Sequence, residues 1–217
     1  MISCMLFDLD GTIVNTNELI LSSFRYALET HRLPLPTREE MIPHMGTTLK
    51  HQLTAFTGRT EVQELEEAYR SYQNEHHDRL IQAFPGVDKT LEELHRRGVK
   101  LGVVTTKIRP TTIRALDMFD LAKYMETIVT VNEVTHPKPH PEPVLTALRQ
   151  LGAAPGKTLM VGDSPADIQS AKAAGVLSAG VAWSLKGPET LRRYEPDYII
   201  EEMGELLALA AGGRGSQ

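Results

Sequence analysis

At 217 residues, the chain amounts to about 1.4 domains at roughly 150 residues per domain, so one domain with a large insertion or two small ones is expected. Apolar residues make up 41% and charged residues 24%, close to ordinary globular usage, which excludes a disordered, collagen-like or coiled-coil chain. A net charge of −5 supplies no basic field for a polyanion, and no uncharged apolar run reaches the roughly 18 residues that cross a bilayer, so neither nucleic acid nor membrane is an expected partner.

Cys4 is the single cysteine and cannot close an intramolecular disulfide, and Met1 leads straight into a strand-like segment with no charged leader. Both features point to a soluble, cytoplasmic protein. The apolar run from Cys4 to Phe7, ended by Asp8 and the Asp10-Gly11 turn signal, predicts a buried first strand. From Asn17 to about His31, Ile20, Phe24, Ala27 and Leu28 recur at helical spacing, and Leu33-Pro34-Leu35-Pro36 stops that helix. Thr37 to Glu40 has capping-box spacing. Thr47 to Phe56 and Glu61 to Ile81 read as two further helices, with His76 and His77 expected on a solvated face of the second. Residues 17–82 are thus expected to be helical, with no strand.

After Phe84-Pro85-Gly86 the rhythm changes. Helices are predicted at 88–97, 111–118, 142–151, 166–174 and 188–194, with one more at the end, and strands at 100–105, 127–131, 158–163, 177–183 and 197–200. Such alternation implies right-handed crossovers and a parallel, Rossmann-like α/β sheet covered on both faces. The first strand must join that sheet, because nothing in the helical stretch could pair with it. Residues 1–16 and 83–217 therefore form the core, and residues 17–82 are an all-helical cap inserted after strand one. The small-residue tail from Ala211 to Gln217 is expected to fray.

In open parallel sheets the ligand site lies beyond the carboxyl ends of the strands. There the sequence puts Asp8, Asp10, Gly11 and Thr12, then Thr105 and Thr106, then Asp163 with Asp167 four residues on, while Lys138 lies inside a Pro-rich link. Crowded carboxylates repel unless a cation sits among them, and hard oxygen donors without His or Cys suggest Mg²⁺. A lysine and threonines beside them supply donors for phosphoryl oxygens. His136 and His140 flank Lys138, but spacing places no third metal ligand beside them. Cys4 reads as a small core residue, and Trp183 with the turn at Lys186 as a structural feature of the last crossover.

The set Asp8-x-Asp10-Gly11-Thr12, Thr105, Lys138 and Gly162-Asp163-x-x-x-Asp167 resembles the four motifs of the haloacid dehalogenase-like superfamily along essentially the whole chain. The resemblance implies that fold, a Mg²⁺-dependent phosphohydrolase and a small phosphorylated substrate. It implies Asp8 as nucleophile and Asp10 as acid and base, with Thr105 and Lys138 on the phosphoryl oxygens. Mg²⁺ would be held by Asp8, Asp163 and the backbone carbonyl of Asp10, with Asp167 orienting Lys138 or Asp163. Gly11, Thr106, Gly46 and Lys50 are candidate substrate contacts.

Segments outside the motifs, Asn15 to Ile20, Leu101 to Lys107, Ala179 to Leu191 and Glu195 to Leu207, are similar to the pyrophosphatases of this superfamily, with phosphoglycolate phosphatases sharing the same frame. Three departures stand out. Asn15 and Thr106 take places where many relatives have Asp and Asn. Ile20 stands where sugar-phosphate mutases have a cap histidine, which argues against a mutase, as Asp10 argues against a dehalogenase. A phosphoacceptor of the response-regulator kind would also group acids, Thr and Lys at strand ends, but there the nucleophile ends the third strand.

Overall fold

The computed structural model describes residues 1–210, so the tail from Ala211 to Gln217 lies outside the described residues. The chain opens with β1 (Cys4–Phe7) and a short β2 (Val14–Asn15), then runs through α1 (Asn17–Thr30), α2 (Arg38–Met41), α3 (Leu49–Thr57) and α4 (Gln63–Leu80), and returns as β3 (Gln82–Ala83). Helices and strands then alternate through α5 (Val87–Arg96), β4 (Lys100–Val104), α6 (Arg109–Met118), β5 (Thr127–Val129), α7 (Glu142–Leu151) and β6 (Thr158–Gly162). The last elements are α8 (Pro165–Ala174), β7 (Leu177–Val181), α9 (Pro188–Arg192), β8 (Tyr198–Ile200) and α10 (Leu206–Leu209).

Six of the strands form one parallel sheet in the order β5-β4-β1-β6-β7-β8. β1 lies in its interior, Cys4 pairing with Lys100 on one side and Thr158 on the other. The strand order reverses at β1, since β4 follows on one side and β6 on the other, and that reversal opens the crevice where parallel sheets bind ligands. Alternate residues of β1 feed two cores: Met5 and Phe7 join Leu91, Leu94 and Leu206 on one face, and Cys4 and Leu6 join Val144, Leu148 and Ala171 on the other. Burial on both faces explains why the strands read as continuous apolar runs.

The inserted helices build a third core around Phe24, Leu53, Leu65 and Tyr69, as the helical spacing of α1 and α4 predicts. Thr37 and Glu40 form the capping box read from the sequence. α3 begins later than expected, because Thr48 is extended at φ −68° and ψ 151° and its hydroxyl accepts the His51 N–H, which makes Thr48 the cap. Likewise β5 stops short at Val129, because Thr130 caps a 3₁₀ turn over Val131–Glu133.

Two expectations need correction. The stretch 17–82 is not free of strand: Val14 pairs with Ala83 and Asn15 with Gln82 in an antiparallel ribbon, so both connections to the insertion run side by side. Two-residue strands carry too little periodicity to be seen in a sequence. Nor is His77 solvated: it is 1% exposed, and its Nε2 has no hydrogen-bond partner among the described residues, while His76 is half-buried with its ring against Tyr72.

Phe24 is fully buried in the third core, edge-on to Phe56 and packed on Tyr69 at 4.7 Å between ring centroids. Phe24→Ala should cost about 3–5 kcal/mol, the usual range for a fully buried Phe. Urea unfolding checks this, with proteolysis inside residues 17–80 rising first.

Candidate active site

Asp8 follows the last residue of β1, and its N–H still donates to Val161 O at 2.9 Å, so the strand ladder itself fixes its place. Thr105 is held in the same way at the end of β4 by its N–H to Val129 O at 2.9 Å. Asp163 follows β6, and Asp167 sits in the first turn of α8. Lys138 arrives from the long β5–α7 connection, and its side chain is 1% exposed.

The three donors of the Lys138 ammonium all find acceptors: Asp8 Oδ1 at 2.8 Å, Val104 O at 2.8 Å and Asp167 Oδ1 at 2.5 Å. The other oxygen of Asp167 accepts the Ser164 N–H at 3.0 Å and the Ser164 hydroxyl at 2.7 Å. Both Asp167 oxygens are thereby committed. Asp163 is steadied through its own carbonyl, which accepts the Ser184 hydroxyl at 2.6 Å, and the buried Lys186 ammonium lies 4.0 Å from its Oδ2.

Oxygens of Asp8, Asp163 and Asp167 lie within 4.8 Å of one another, all three residues being buried. Burial pushes the Asp8 carboxyl up to about 8, and the charges of Asp167 and Asp163 add to that while Lys138 pulls it back. Burial likewise raises Asp163 to about 6, against the pull of Lys186. Burial alone would lower Lys138, but Asp167 and Asp8 more than reverse it and hold it charged. Lys138 is therefore too little positive charge to keep three buried carboxylates ionised together. An all-oxygen cluster short of positive charge fits a hard divalent cation. Asp8 and Asp163 each keep a carboxylate oxygen with no hydrogen bond among the described residues, whereas both oxygens of Asp167 already accept.

Gly11 adopts φ +79°, and a Cβ there would stand 2.5 Å from Asp163 Oδ2, so only glycine lets the turn close over the carboxylate. Asp10 is placed differently from Asp8. Both its oxygens accept from Lys107 Nζ at 3.1 Å, so its carboxylate lies outside the acidic cluster.

A cavity of about 290 Å³ opens above this floor, lined from the sheet side by Asp8, Asp10, Thr105, Thr106, Lys107 and Asp163. Its roof comes from the inserted helices and includes Gly46, Lys50, Gln52, Tyr69 and Arg70. Gly46, at φ +93°, abuts Ser164 so closely that a Cβ would meet its side chain at 2.6 Å. The Thr106 hydroxyl points to the carbonyls of Gly46 and Thr47 at 3.4 and 3.5 Å. Across the molecule Arg114 of α6 donates to Asn74 O at 3.1 Å and pairs with Asp78 of α4 at 3.0 Å.

Sequence reasoning brought Asp8, Thr105, Lys138, Asp163 and Asp167 to one floor, and the structure gathers them. Lys107 joins that site as well, adjoining Thr105 and Thr106 at a strand end without a motif to mark it. The sequence presents Lys186 as part of a structural turn, yet its side chain is 3% exposed beside Asp163. Trp183 keeps its structural reading, donating from Nε1 to Thr12 O at 3.3 Å. Tyr69, Arg70 and Gln52 could not be placed over the floor from helical periodicity, which orients a helix toward its own core and not toward another layer.

The haloacid dehalogenase-like hydrolase family profile matches residues 5–181. The chain belongs to that family. Among curated relatives, pyrophosphatase PpaX of Bacillus cereus is 42% identical over 208 residues, covering 96% of each chain, and that of Anoxybacillus flavithermus is 43% identical over the same span. Among solved structures, a haloacid dehalogenase-like family hydrolase from Streptococcus pneumoniae superposes with a TM-score of 0.84 at 27% identity, covering 95% of this chain and 97% of that one. A protein described as a predicted phosphoglycolate phosphatase, from Haemophilus somnus, gives 0.86 at 25% identity, covering 96% and 97%. This family membership makes the chain a hydrolase. Among the described residues no helix is long and apolar enough to cross a membrane.

The charge deficit has a measurable consequence in chelator. Asp8 and Asp163 retain protons in the folded state that the unfolded chain, titrating near 3.8, has already released. Their contribution to stability therefore falls as pH rises from about 4 to about 8. Asp8→Asn removes one such group, so the Tm of the variant relative to wild type should climb across that window. A Tm difference independent of pH would contradict it.

Proposed function

We propose that the chain is a Mg²⁺-dependent phosphohydrolase that works through an aspartyl-phosphate on Asp8 and prefers inorganic pyrophosphate. The observation that carries the chemistry is the buried Lys138 ammonium shared between Asp8 and Asp167, on a floor that Asp163 leaves short of positive charge. The substrate preference is supported by the pyrophosphatase relatives, which match 96% of the chain. The sheet with residues 1–16 and 83–217 acts as core, and residues 17–82 act as a cap that closes on the β2–β3 neck. A cytoplasmic location accords with the single buried cysteine.

Asp8 attacks phosphorus in line, forming the Asp8 O–P bond as the bridging P–O bond breaks, and Asp10 gives its proton to the departing phosphate. Asp10 then takes a proton from water, which attacks the same phosphorus and releases the Asp8 carboxylate. Thr105 and Lys138 bind the equatorial oxygens, where charge spreads as the bond breaks. Asp8, Asp163 and the Asp10 backbone carbonyl would hold Mg²⁺, which when bound would offset carboxylate repulsion and draw charge from the phosphoryl oxygens. Asp167 orients Lys138 through their shared hydrogen bond.

Both oxygens of Asp10 accept from Lys107, so productive binding requires Lys107 to turn toward the substrate. Lys107, Lys50 and Arg70 share the cavity wall, which suits a substrate carrying a second anionic group. Gly11 and Thr106 keep the approach narrow, and Gly46 presses the roof onto Ser164. Phosphoglycolate also carries two anionic ends, and the phosphoglycolate phosphatase-like structure favours it as the second reading.

Phosphate release from pyrophosphate, phosphoglycolate, sugar phosphates and nucleotides, each with Mg²⁺ and with chelator, tests the assignment. Pyrophosphate should turn over fastest and only with Mg²⁺; phosphoglycolate turning over far faster would transfer the assignment to the second reading. Asp8→Asn should lose at least about a thousandfold in kcat, the scale on which loss of a nucleophile is felt, and a few-fold loss would refute the covalent step. Lys107→Met should raise KM for pyrophosphate by about 10- to 100-fold, the equivalent of one charged hydrogen bond, with a smaller effect on kcat.

A further inference from the structure

A second cluster of metal-binding side chains lies outside the cavity. His136, His140 and Glu142 place one donor atom each within 4.8 Å of one another. The two histidines are exposed and Glu142 is half-buried. Spacing alone offered the two histidines without a third ligand; the third is Glu142, the first residue of α7, which the turn at Pro137–His140 folds back toward His136.

The arrangement is held by the backbone. Glu142 Oε1 accepts the Thr135 N–H and Oε2 the His136 N–H, each at 2.9 Å, so the carboxylate is oriented independently of any ion. Oε2 also lies 2.9 Å from His136 Nδ1. The Glu142 N–H reaches His140 Nδ1 at 3.2 Å, and the two imidazoles stand 4.7 Å apart between centroids. Bonds of about 2.0–2.1 Å to a tetrahedral ion set neighbouring donors about 3.3 Å apart. The His136–Glu142 pair is already near that spacing, and the exposed His140 ring can turn to meet an ion.

We propose that His136, His140 and Glu142 form a surface site for a zinc-class divalent cation, separate from the buried carboxylate site. Two imidazoles and one carboxylate are a donor set that zinc, nickel and copper accept and that magnesium, which prefers oxygen, does not. Solvent supplies the fourth ligand. The ligands straddle Lys138, so the ion would clasp the two ends of the loop that carries the lysine into the core. His140 is already tied to α8 by the Ser170 hydroxyl, which donates to its carbonyl at 2.8 Å.

The test uses the full chain without an affinity tag, in excess Mg²⁺ to mask the carboxylate cluster, with Zn²⁺ titrated against a chromophoric chelator. Wild type should bind one zinc and gain in Tm, and the His136→Ala, His140→Ala double variant should lose both. Its Kd should rise at least about a hundredfold, since losing a group that merely orients a ligand already costs 10- to 100-fold. Co²⁺ spectra of wild type give a reading that needs no variant: strong visible bands mark a nitrogen-ligated ion of low coordination number. Equal zinc affinity in wild type and double variant, or a Co²⁺ spectrum no different from the hydrated ion, overturns the proposal. If the double variant does not fold, the Co²⁺ spectrum of wild type decides.

Discussion

The ammonium of Lys138 holds the site together. Its three acceptors come from three different strand ends: Asp8 beyond β1, the carbonyl of Val104 in β4, and Asp167 in the helix after β6. A charge buried this deeply is tolerable only when it is paired and its donors are all used. Here that condition ties the interior strands of the sheet to one loop. The same constraint leaves a deficit, since one ammonium cannot neutralise Asp8, Asp163 and Asp167 at once, and Lys186 at 4.0 Å from Asp163 helps only in part. The carboxylates at the centre of the structure thus outnumber the ammonium groups beside them, an arrangement that suits a divalent cation.

The inserted helices answer a different constraint. They have a core of their own around Phe24 and Leu53, with Leu185 packed against it, while Leu19 and Ile81 of the same stretch join the core on the sheet, and the ribbon of β2 and β3 sets their two connections side by side. Polar contacts add to this apolar packing in holding them over the sheet: Arg114 to Asp78 and Asn74, and Thr106 toward the Gly46 and Thr47 carbonyls, with Gly46 against Ser164. Beneath the inserted helices, Lys107 pairs with both oxygens of Asp10 on the cavity wall.

The sheet and its order of elements were legible along the chain, because runs such as Leu101–Val104 and Leu159–Val161 carry their own burial signal and the turn residues between them are explicit. The floor of the site was legible for the same reason: in a parallel sheet, the residue that ends a strand is also the residue at the site. Asp8, Thr105 and Asp163 needed no tertiary information to be brought together. Lys107 lay in view beside them, but its partner Asp10 could be found only once the two strand ends had been set at their true separation. The β2–β3 ribbon and the burial of His77 were not legible, as each depends on a neighbour more than sixty residues distant or on another layer.

Periodicity and strand-ending residues are local properties, and from them the chain fixes its α/β core, the place of its insertion and the acids that meet above β1. Distances between side chains carried by different elements are not local. Which oxygen of Asp167 faces Lys138, that Glu142 folds back onto His136, and that the roof of the cavity is made by Lys50, Tyr69 and Arg70 all follow from how helices pack on the sheet and on one another. Hydrogen bonding and Coulomb attraction change greatly over one or two ångströms, and only packing sets separations that finely.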